Sequence, residues 1–169
     1  MVLSPEAPIL QDRSKSRVRH AAPQHQVESR LRSVVNGQTQ AAAESKAYLR
    51  AQYTTDAGEM FCQSCHKPLP FRVEGNWYFE SVRFVKPLEQ VHTANSLSLC
   101  PLCAALYKHA RETPNEELIA ALANTKAKEG QGLVEISLVL DGKHSSLRFT
   151  GQHAIDLQTV LNVAGSERK

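Results

Sequence analysis

Large apolar side chains are distributed unevenly along this chain of 169 residues. Among leucine, isoleucine and aromatic residues, the first 45 positions contain only Leu3, Ile9, Leu10 and Leu31. From Tyr48 onward, apolar residues recur every few positions. A segment that cannot bury apolar surface does not offset the entropy that is lost on folding. We therefore predict a flexible arm over 1–40, one folded domain over 41–163 and a polar tail over 164–169.

The spacing of helix-forming residues predicts four helices in the folded domain. They are expected at 40–53, at 104–111 with Pro101 in the first turn, at 114–124 and at 153–162. Thr113, Pro114 and Glu116 match a capping box with proline at the first helical position. His153 is expected to cap the last helix or to pack against it.

Apolar and β-branched residues between turn signals predict two hairpins. In the first, strands at 71–73 and 77–85 are joined across Glu74-Gly75-Asn76. In the second, a strand at 134–140 returns after Asp141-Gly142, a pair that is typical of two-residue turns. Helices and hairpins in this arrangement indicate an α+β domain.

Four cysteines occur as two Cys-x-x-Cys pairs, Cys62/Cys65 and Cys100/Cys103. Two intervening residues let both sulfurs of a pair bind one ion while backbone amides stabilise the thiolates. The 34 residues between the pairs exceed the roughly 15–20 of simple zinc ribbons, and the first hairpin and a loop fill the difference. We predict one structural Zn²⁺ per chain, bound by all four cysteines. A redox dithiol, an iron–sulfur centre and unliganded buried cysteines are the alternatives.

The order of elements around the cysteines also favours a metal site. The first pair lies on a proline-containing knuckle before a hairpin, and the second pair lies where a helix begins. This order is that of a treble clef, here over 60–111. Because a helix N-terminus favours negative charge, it suits the thiolates of Cys100 and Cys103. The prediction is therefore a treble-clef zinc domain that continues into a C-terminal β-hairpin and helix.

Positive charge is concentrated in the arm, although the net charge of the whole chain is only +3. One acid, Glu28, lies within a stretch that contains six basic residues: Arg13, Lys15, Arg17, Arg19, Arg30 and Arg32. A flexible basic segment can bind phosphates by releasing counterions. We expect these six residues to contact DNA or RNA. The alternative is a solvated leader that binds nothing.

The cysteine motif and its surroundings resemble the HNH endonuclease family over roughly residues 60–111. The resemblance is carried by Cys62-Gln63-Ser64-Cys65, by Phe79-Glu80-Ser81-Val82-Arg83-Phe84-Val85 and by Asn95-Ser96-Leu97-Ser98-Leu99-Cys100-Pro101-Leu102-Cys103. It implies an HNH-like treble clef. It also implies a catalytic histidine that acts as general base on water, beside residues that hold a divalent metal at the scissile phosphate.

The catalytic positions of that family are mostly not retained. Its Asp-His pair falls on Val82-Arg83, and the residue after the second cysteine pair is Ala104, so only Asn95 matches. We therefore expect a module that has kept its structural zinc and lost nuclease activity. The alternative is a divergent nuclease that uses Asn95, His92 in the predicted loop over 86–95, or His109 on the following helix.

A second similarity is to zinc modules of bacterial DNA-processing and phage-defence proteins. It is carried by Pro70-Phe71, Tyr78-Phe79-Glu80, Leu99-Cys100-Pro101 and the final hairpin and helix. It implies a setting in such a complex and no particular reaction. Because the net charge is mild, the alternative to a module that binds nucleic acid is an adaptor that docks on a larger protein subunit. Trp77, Tyr78 and Phe79 could stack on bases, although packing in the core explains them as well.

No apolar run reaches the roughly 18 residues of a membrane span, and the first residues lack the pattern of a signal peptide. We therefore expect no membrane partner and a cytoplasmic location, where thiols stay reduced and free to bind metal. Motifs for phosphate loops, dinucleotides and serine hydrolases are missing, so no small-molecule substrate is predicted.

Overall fold

The computed structural model describes residues 34–86, 88, 92–127 and 132–166. Within these residues the chain forms a mixed α+β unit with four helices and three two-stranded antiparallel sheets. The helices are α1 (Val34–Tyr53), α2 (Pro101–His109), α3 (Asn115–Ala123) and α4 (Gly151–Ser166). The strands are β1 (Arg72–Val73), β2 (Asn76–Trp77), β3 (Glu80–Arg83), β4 (Ser96–Leu99), β5 (Val134–Leu140) and β6 (Lys143–Phe149). A 3-10 turn, Thr93–Asn95, precedes β4.

Helix α1 begins at Val34 rather than at the predicted Gln40, and it ends at Tyr53 as predicted. Alanine, glutamate and lysine fill its central turns and favour the helix. Its buried side, which includes Leu49, packs on β4 and on the 3-10 turn. The chain then turns at Gly58, whose φ of +79° is a conformation that residues with a Cβ rarely adopt.

The prediction of one strand over 77–85 is wrong, because the chain forms β2 and then a separate strand β3. Strand β2 pairs with β1 across Glu74-Gly75, whose φ angles of 50° and 80° suit a two-residue hairpin turn. Strand β3 instead pairs with β4, with Val82 opposite Leu97. The β1–β2 hairpin is mostly exposed, whereas Phe79, between β2 and β3, is only 2% exposed. The chain therefore enters the core at Phe79.

The second hairpin agrees with its prediction. Asp141 and Gly142 form the turn between β5 and β6 with φ angles of 50° and 67°. The inward side chains alternate along the strands and are buried: Ile136, Leu138, Leu140, Leu147 and Phe149. The segment before α3 holds the outer edge of β5, because the Val139 N–H donates to Thr113 Oγ1 at 2.8 Å.

Two further helix starts differ from their predictions. Helix α3 has Pro114 as its N-cap residue and begins at Asn115, so the predicted capping box is wrong. The Thr113 hydroxyl, which would have capped α3, binds the edge of β5 instead. Helix α4 begins before the predicted His153, because Thr150 Oγ1 accepts the His153 N–H at 3.1 Å and caps the first turn. It continues to Ser166, beyond the predicted end at Asn162.

One hydrophobic core connects these elements. Its fully buried side chains include Leu49, Phe84, Leu99, Leu122, Phe149 and Leu157. The rings of Phe84 and Phe149 meet edge to face with centroids 5.7 Å apart. Cys62 and Cys103 belong to the same cluster, so the cysteines lie along one wall of the core. Among the helices in the described ranges, none is long and apolar enough to cross a membrane.

Candidate metal centre

The first cysteine pair lies in a tight loop, residues 60–69, between α1 and β1; we call it the metal loop. Two backbone hydrogen bonds close it, from Cys62 N–H to Lys67 O (3.0 Å) and from Leu69 N–H to Met60 O (2.8 Å). His66 adopts a φ of +60°, a left-handed conformation that turns the chain back immediately after the second ligand. The predicted knuckle is therefore present, and Pro68 follows its turn in an antiparallel bridge to Phe61.

The second pair lies where β4 passes into α2. Cys100 is the N-cap residue of α2, Pro101 occupies its first turn and Cys103 follows within that turn. Proline fits there because the first amides of a helix have no partner within the helix. Two sulfurs therefore lie at the positive end of α2.

All four cysteine sulfurs lie within 4.8 Å of one another. A tetrahedral Zn²⁺ with bonds of about 2.3 Å needs sulfurs roughly 3.8 Å apart, so small side-chain adjustments would enclose an ion. Cys62 and Cys103 are buried, Cys65 and Cys100 are half-buried, and all four are free thiols. The residues therefore fit a metal ion that prefers sulfur ligands.

Backbone amides surround the sulfurs. The Cys100 N–H donates to Cys62 Sγ at 3.4 Å, and the amides of Cys65 and Ser64 also favour the ionised form of that sulfur. The Lys67 amide favours the ionised form of Cys65, against the larger opposing effect of burial. Such donors offset part of the negative charge of the thiolates, and they hold the ligands in place around the ion.

The sulfurs change one another's protonation. The interaction with the neighbouring Cys103 thiol lowers the pKa of Cys62 to about 5. The same interaction, together with burial, raises the pKa of Cys103. Burial also raises the pKa of Cys65. Cys62 therefore ionises readily, whereas Cys65 and Cys103 need a nearby cation, so metal binding would release protons.

The donor set restricts the chemistry of the centre. Catalytic zinc sites usually keep one position for water, whereas four protein ligands complete a tetrahedron and stabilise a fold. Thiolates also suit iron–sulfur clusters, so the sulfurs select a class of metal rather than one ion. A bound ion would cross-link the metal loop to the start of α2.

Gln63, between the ligands of the first pair, is a site residue that the sequence did not reveal. Its side chain is 2% exposed. Its Oε1 accepts the Ser98 N–H at 2.8 Å, and its Nε2 donates to Tyr53 Oη at 2.8 Å and to Arg148 O at 2.9 Å. Its backbone N–H donates to Ser98 O, and its carbonyl accepts the Arg148 N–H. Gln63 thus attaches the metal loop to β4, to β6 and to α1.

The hydrogen-bond network continues from Gln63 through Tyr53 to His153. Ala94 O can only accept, so His153 Nε2, at 2.8 Å from it, carries the proton and Nδ1 must accept. The Tyr53 hydroxyl therefore donates to His153 Nδ1 at 2.5 Å and accepts from Gln63. Burial lowers the pKa of His153 to about 4 and raises the pKa of Tyr53. His153 is thus a neutral packing residue, one of its two predicted roles.

The three alternative catalytic residues have different surroundings. Asn95 is 3% exposed, and its side-chain amide binds both the N–H (3.1 Å) and the carbonyl (3.0 Å) of Val85. Asn95 therefore braces the connection between β3 and β4. His92 is half-buried beside the 3-10 turn, and His109 is exposed at the end of α2.

The structure describes only some of the remaining predicted positions. Where HNH enzymes carry their Asp-His pair, Val82 is buried and Arg83 is exposed, and Ala104 is fully buried. The predicted phosphate-binding residues lie outside the described part of the chain: Arg13, Lys15, Arg17, Arg19, Arg30 and Arg32.

No family model, curated protein or solved structure matches this chain. The metal centre is therefore identified by its geometry alone. A cluster of four cysteines is consistent with a zinc site, and it does not by itself identify an HNH-like module.

Proposed function

We propose that this chain is a zinc-stabilised binding module that contacts nucleic acid and lacks nuclease activity. The observation that carries the proposal is the closed cluster of four cysteine sulfurs within 4.8 Å. The order of metal loop, hairpin, β4 and α2 supports an HNH-like treble clef. Zn²⁺ is the proposed ion because it favours tetrahedral thiolate ligands and has no redox chemistry. A cytoplasmic location would keep these thiols reduced.

The side chains at the HNH catalytic positions support the loss of nuclease activity. Val82 and Ala104 have no metal-binding atoms, and the Arg83 guanidinium stays protonated and cannot act as a base. The Asn95 amide is already bound to Val85. A divergent nuclease would have to use His92 or His109, and it is the alternative function.

The distribution of charge supports a nucleic-acid partner. Residues 1–33 contain six basic and three acidic side chains, whereas residues 34–166 contain twelve basic and thirteen acidic ones. Attraction to phosphates would therefore come from the basic arm, and the folded domain would supply contacts of another kind. The near-neutral charge of the folded domain also suits an adaptor on a larger subunit of a DNA-processing or defence complex.

The test measures metal content, DNA cleavage and DNA binding on one purified sample of the full chain. We expect one zinc per chain by elemental analysis, no nicking of supercoiled plasmid with Mg²⁺ or Mn²⁺, and salt-sensitive binding of a labelled oligonucleotide. Replacing Arg17 and Arg19 by glutamine should lower the slope of log affinity against log salt by about 2, if each contacts one phosphate.

Other results would select another function. Nicking that disappears in His92→Ala, with zinc content unchanged, would establish the nuclease. One zinc per chain, no bound oligonucleotide and stable co-purification with another protein would establish the adaptor. A chain that binds no zinc would overturn the proposal, because the four-cysteine cluster would then not be a zinc site.

A further inference from the structure

The β1–β2 hairpin has an aromatic face that the core does not use. Phe71, Val73 and Tyr78 are 46%, 49% and 36% exposed. Phe71 and Val73 are two residues apart and therefore point to the same side. Tyr78 lies directly across from Phe71, because its N–H donates to Phe71 O at 3.0 Å. These three side chains define what we call the hairpin face.

The other side of the hairpin is fixed to the domain. Trp77 Nε1 donates to Gly58 O at 2.8 Å, and Arg72 donates to the same carbonyl at 3.3 Å. The Arg72 guanidinium also lies 4.3 Å from the centre of the Trp77 ring. These contacts hold the hairpin in place, so its aromatic residues are presented to solvent in a defined orientation.

The rings of Phe71 and Tyr78 stack in parallel, with centroids 5.0 Å apart and an interplanar angle of 12°. Phe84 and Phe149, within the core, instead meet edge to face at 85°. In edge-to-face packing, the face of one ring is covered by the edge of the other. In a parallel pair, each ring has one face that its partner does not cover. A further planar group can continue such a stack.

The size of the hairpin face indicates what it can bind. Three half-exposed side chains offer on the order of 300 Å², whereas a stable protein interface takes about 800 Å² from each partner. A single base needs only one ring surface. The basic arm adds charge complementarity, because an occupant attached to phosphates would be attracted to the same chain.

We infer that Phe71 and Tyr78 form a stacking site for an unpaired base of single-stranded nucleic acid. The inference rests on the proposed function, since it presumes that the chain binds nucleic acid. It differs from the stacking set expected from the sequence. Phe79 is buried and Trp77 is covered by Arg72, so only Tyr78 of those three residues remains, joined by Phe71.

The experiment uses fluorescence anisotropy of a labelled oligothymidine with the zinc-loaded full chain. The double variant Phe71→Leu/Tyr78→Leu keeps an apolar face and removes the rings. We expect it to bind roughly 10- to 100-fold more weakly, with an unchanged salt dependence because the phosphate contacts remain. The matched control is Leu133→Ala, which changes an exposed apolar residue elsewhere and should leave the affinity unchanged.

An abasic oligonucleotide of the same length separates stacking from phosphate binding. The wild-type chain should bind it about as weakly as the double variant binds oligothymidine. Equal wild-type affinity for both ligands, with no effect of the double variant, would overturn the stacking site and leave nucleic-acid binding intact. No binding of either ligand by the wild-type chain would overturn the proposed function itself.

Zinc content and circular dichroism establish whether the double variant is folded. Should it lose its zinc, Phe71→Leu alone replaces it, and a several-fold loss of affinity is then expected. An unchanged affinity of that folded single variant for oligothymidine would also count against the stacking site.

Discussion

The metal loop and the β5–β6 hairpin both reverse the chain direction, yet different forces hold them. The hairpin buries five apolar side chains in alternation, and each contributes roughly 1.5–3 kcal/mol. The metal loop buries Met60 and Leu69 together with Gln63, and it brings sulfurs together that repel one another once they ionise. The hairpin is therefore stabilised by its own side chains, whereas a bound cation would stabilise the metal loop.

Loss of the ion should have the largest effect. Structural zinc contributes on the order of 10–16 kcal/mol in small domains, which matches or exceeds the stability of most folds. Cys100→Ser should therefore remove amide protection from hydrogen exchange over residues 60–111, as should a strong chelator. The control is His66→Asn, which changes the residue beside a ligand, tolerates its positive φ and should keep the zinc. If a chain shown to be metal-free keeps its amide protection over residues 60–111, the metal loop does not depend on an ion.

A cavity beneath the β5–β6 hairpin should cause the next largest loss of stability. Phe149 is fully buried, and Phe149→Ala should reduce the free energy of unfolding by about 3–5 kcal/mol. Urea denaturation measures this loss, and elemental analysis should still find one zinc per folded chain. Leu133→Ala, at an exposed position, should change stability by less than about 0.5 kcal/mol. A Phe149→Ala chain that is folded but without zinc would show that the two regions are not held separately.

Acid should destabilise the region around His153. Burial lowers the pKa of His153 to about 4 in the folded chain, whereas an unfolded histidine titrates near 6.5. Between these values the unfolded state binds the extra proton, so stability should fall as the pH drops from about 6.5 to about 4. The loss should approach about 3 kcal/mol at most.

An NMR titration of the histidine rings at saturating zinc provides the measurement. The ring of His153 should stay neutral down to about pH 4. His153→Gln should flatten the dependence of stability on pH over this interval. If the ring of His153 instead takes up a proton near pH 6.5, the neutral network through Tyr53 is not maintained in solution.

Gln63 connects the two regions, and its replacement should have the smallest effect. Gln63→Ala leaves the Ser98 N–H and the Arg148 carbonyl without one of their partners in the interior, which costs about 1–3 kcal/mol. Hydrogen exchange should accelerate in both the metal loop and β6. Gln158→Ala removes a similar amide that binds only the end of α3, so exchange should change there alone. If Gln63→Ala and Gln158→Ala give the same hydrogen-exchange profile, Gln63 does not link the metal loop to β6.

The sequence predicted the elements whose signal is local. The alternation over Val134–Leu140 and the pair Asp141-Gly142 contain all the information that the second hairpin needs. The cysteine cluster was also predictable, because two Cys-x-x-Cys pairs satisfy a constraint of metal geometry that hardly depends on the rest of the fold. The end of α1 followed from the turn residues after Tyr53.

Features that depend on distant partners were not predictable. Aromatic and β-branched residues occur throughout the run from Trp77 to Val85, so it reads as a single strand. Nothing in the run itself shows that its second half pairs with β4. The residues around Thr113 match a helix-capping sequence, yet its hydroxyl accepts the N–H of Val139 at the edge of β5. Gln63 is buried only because Tyr53, Ser98 and Arg148 meet around it.

The position of Trp77 has a spectroscopic consequence. It is the one tryptophan of the chain, and its indole N–H donates to Gly58 O, two residues before the metal loop. Intrinsic tryptophan emission is therefore a local reporter for the part of the domain near the metal loop. A melting curve recorded through it can reach its plateau while β5 and β6 are still paired. Agreement between this emission and far-ultraviolet circular dichroism would thus measure how cooperatively the whole domain melts.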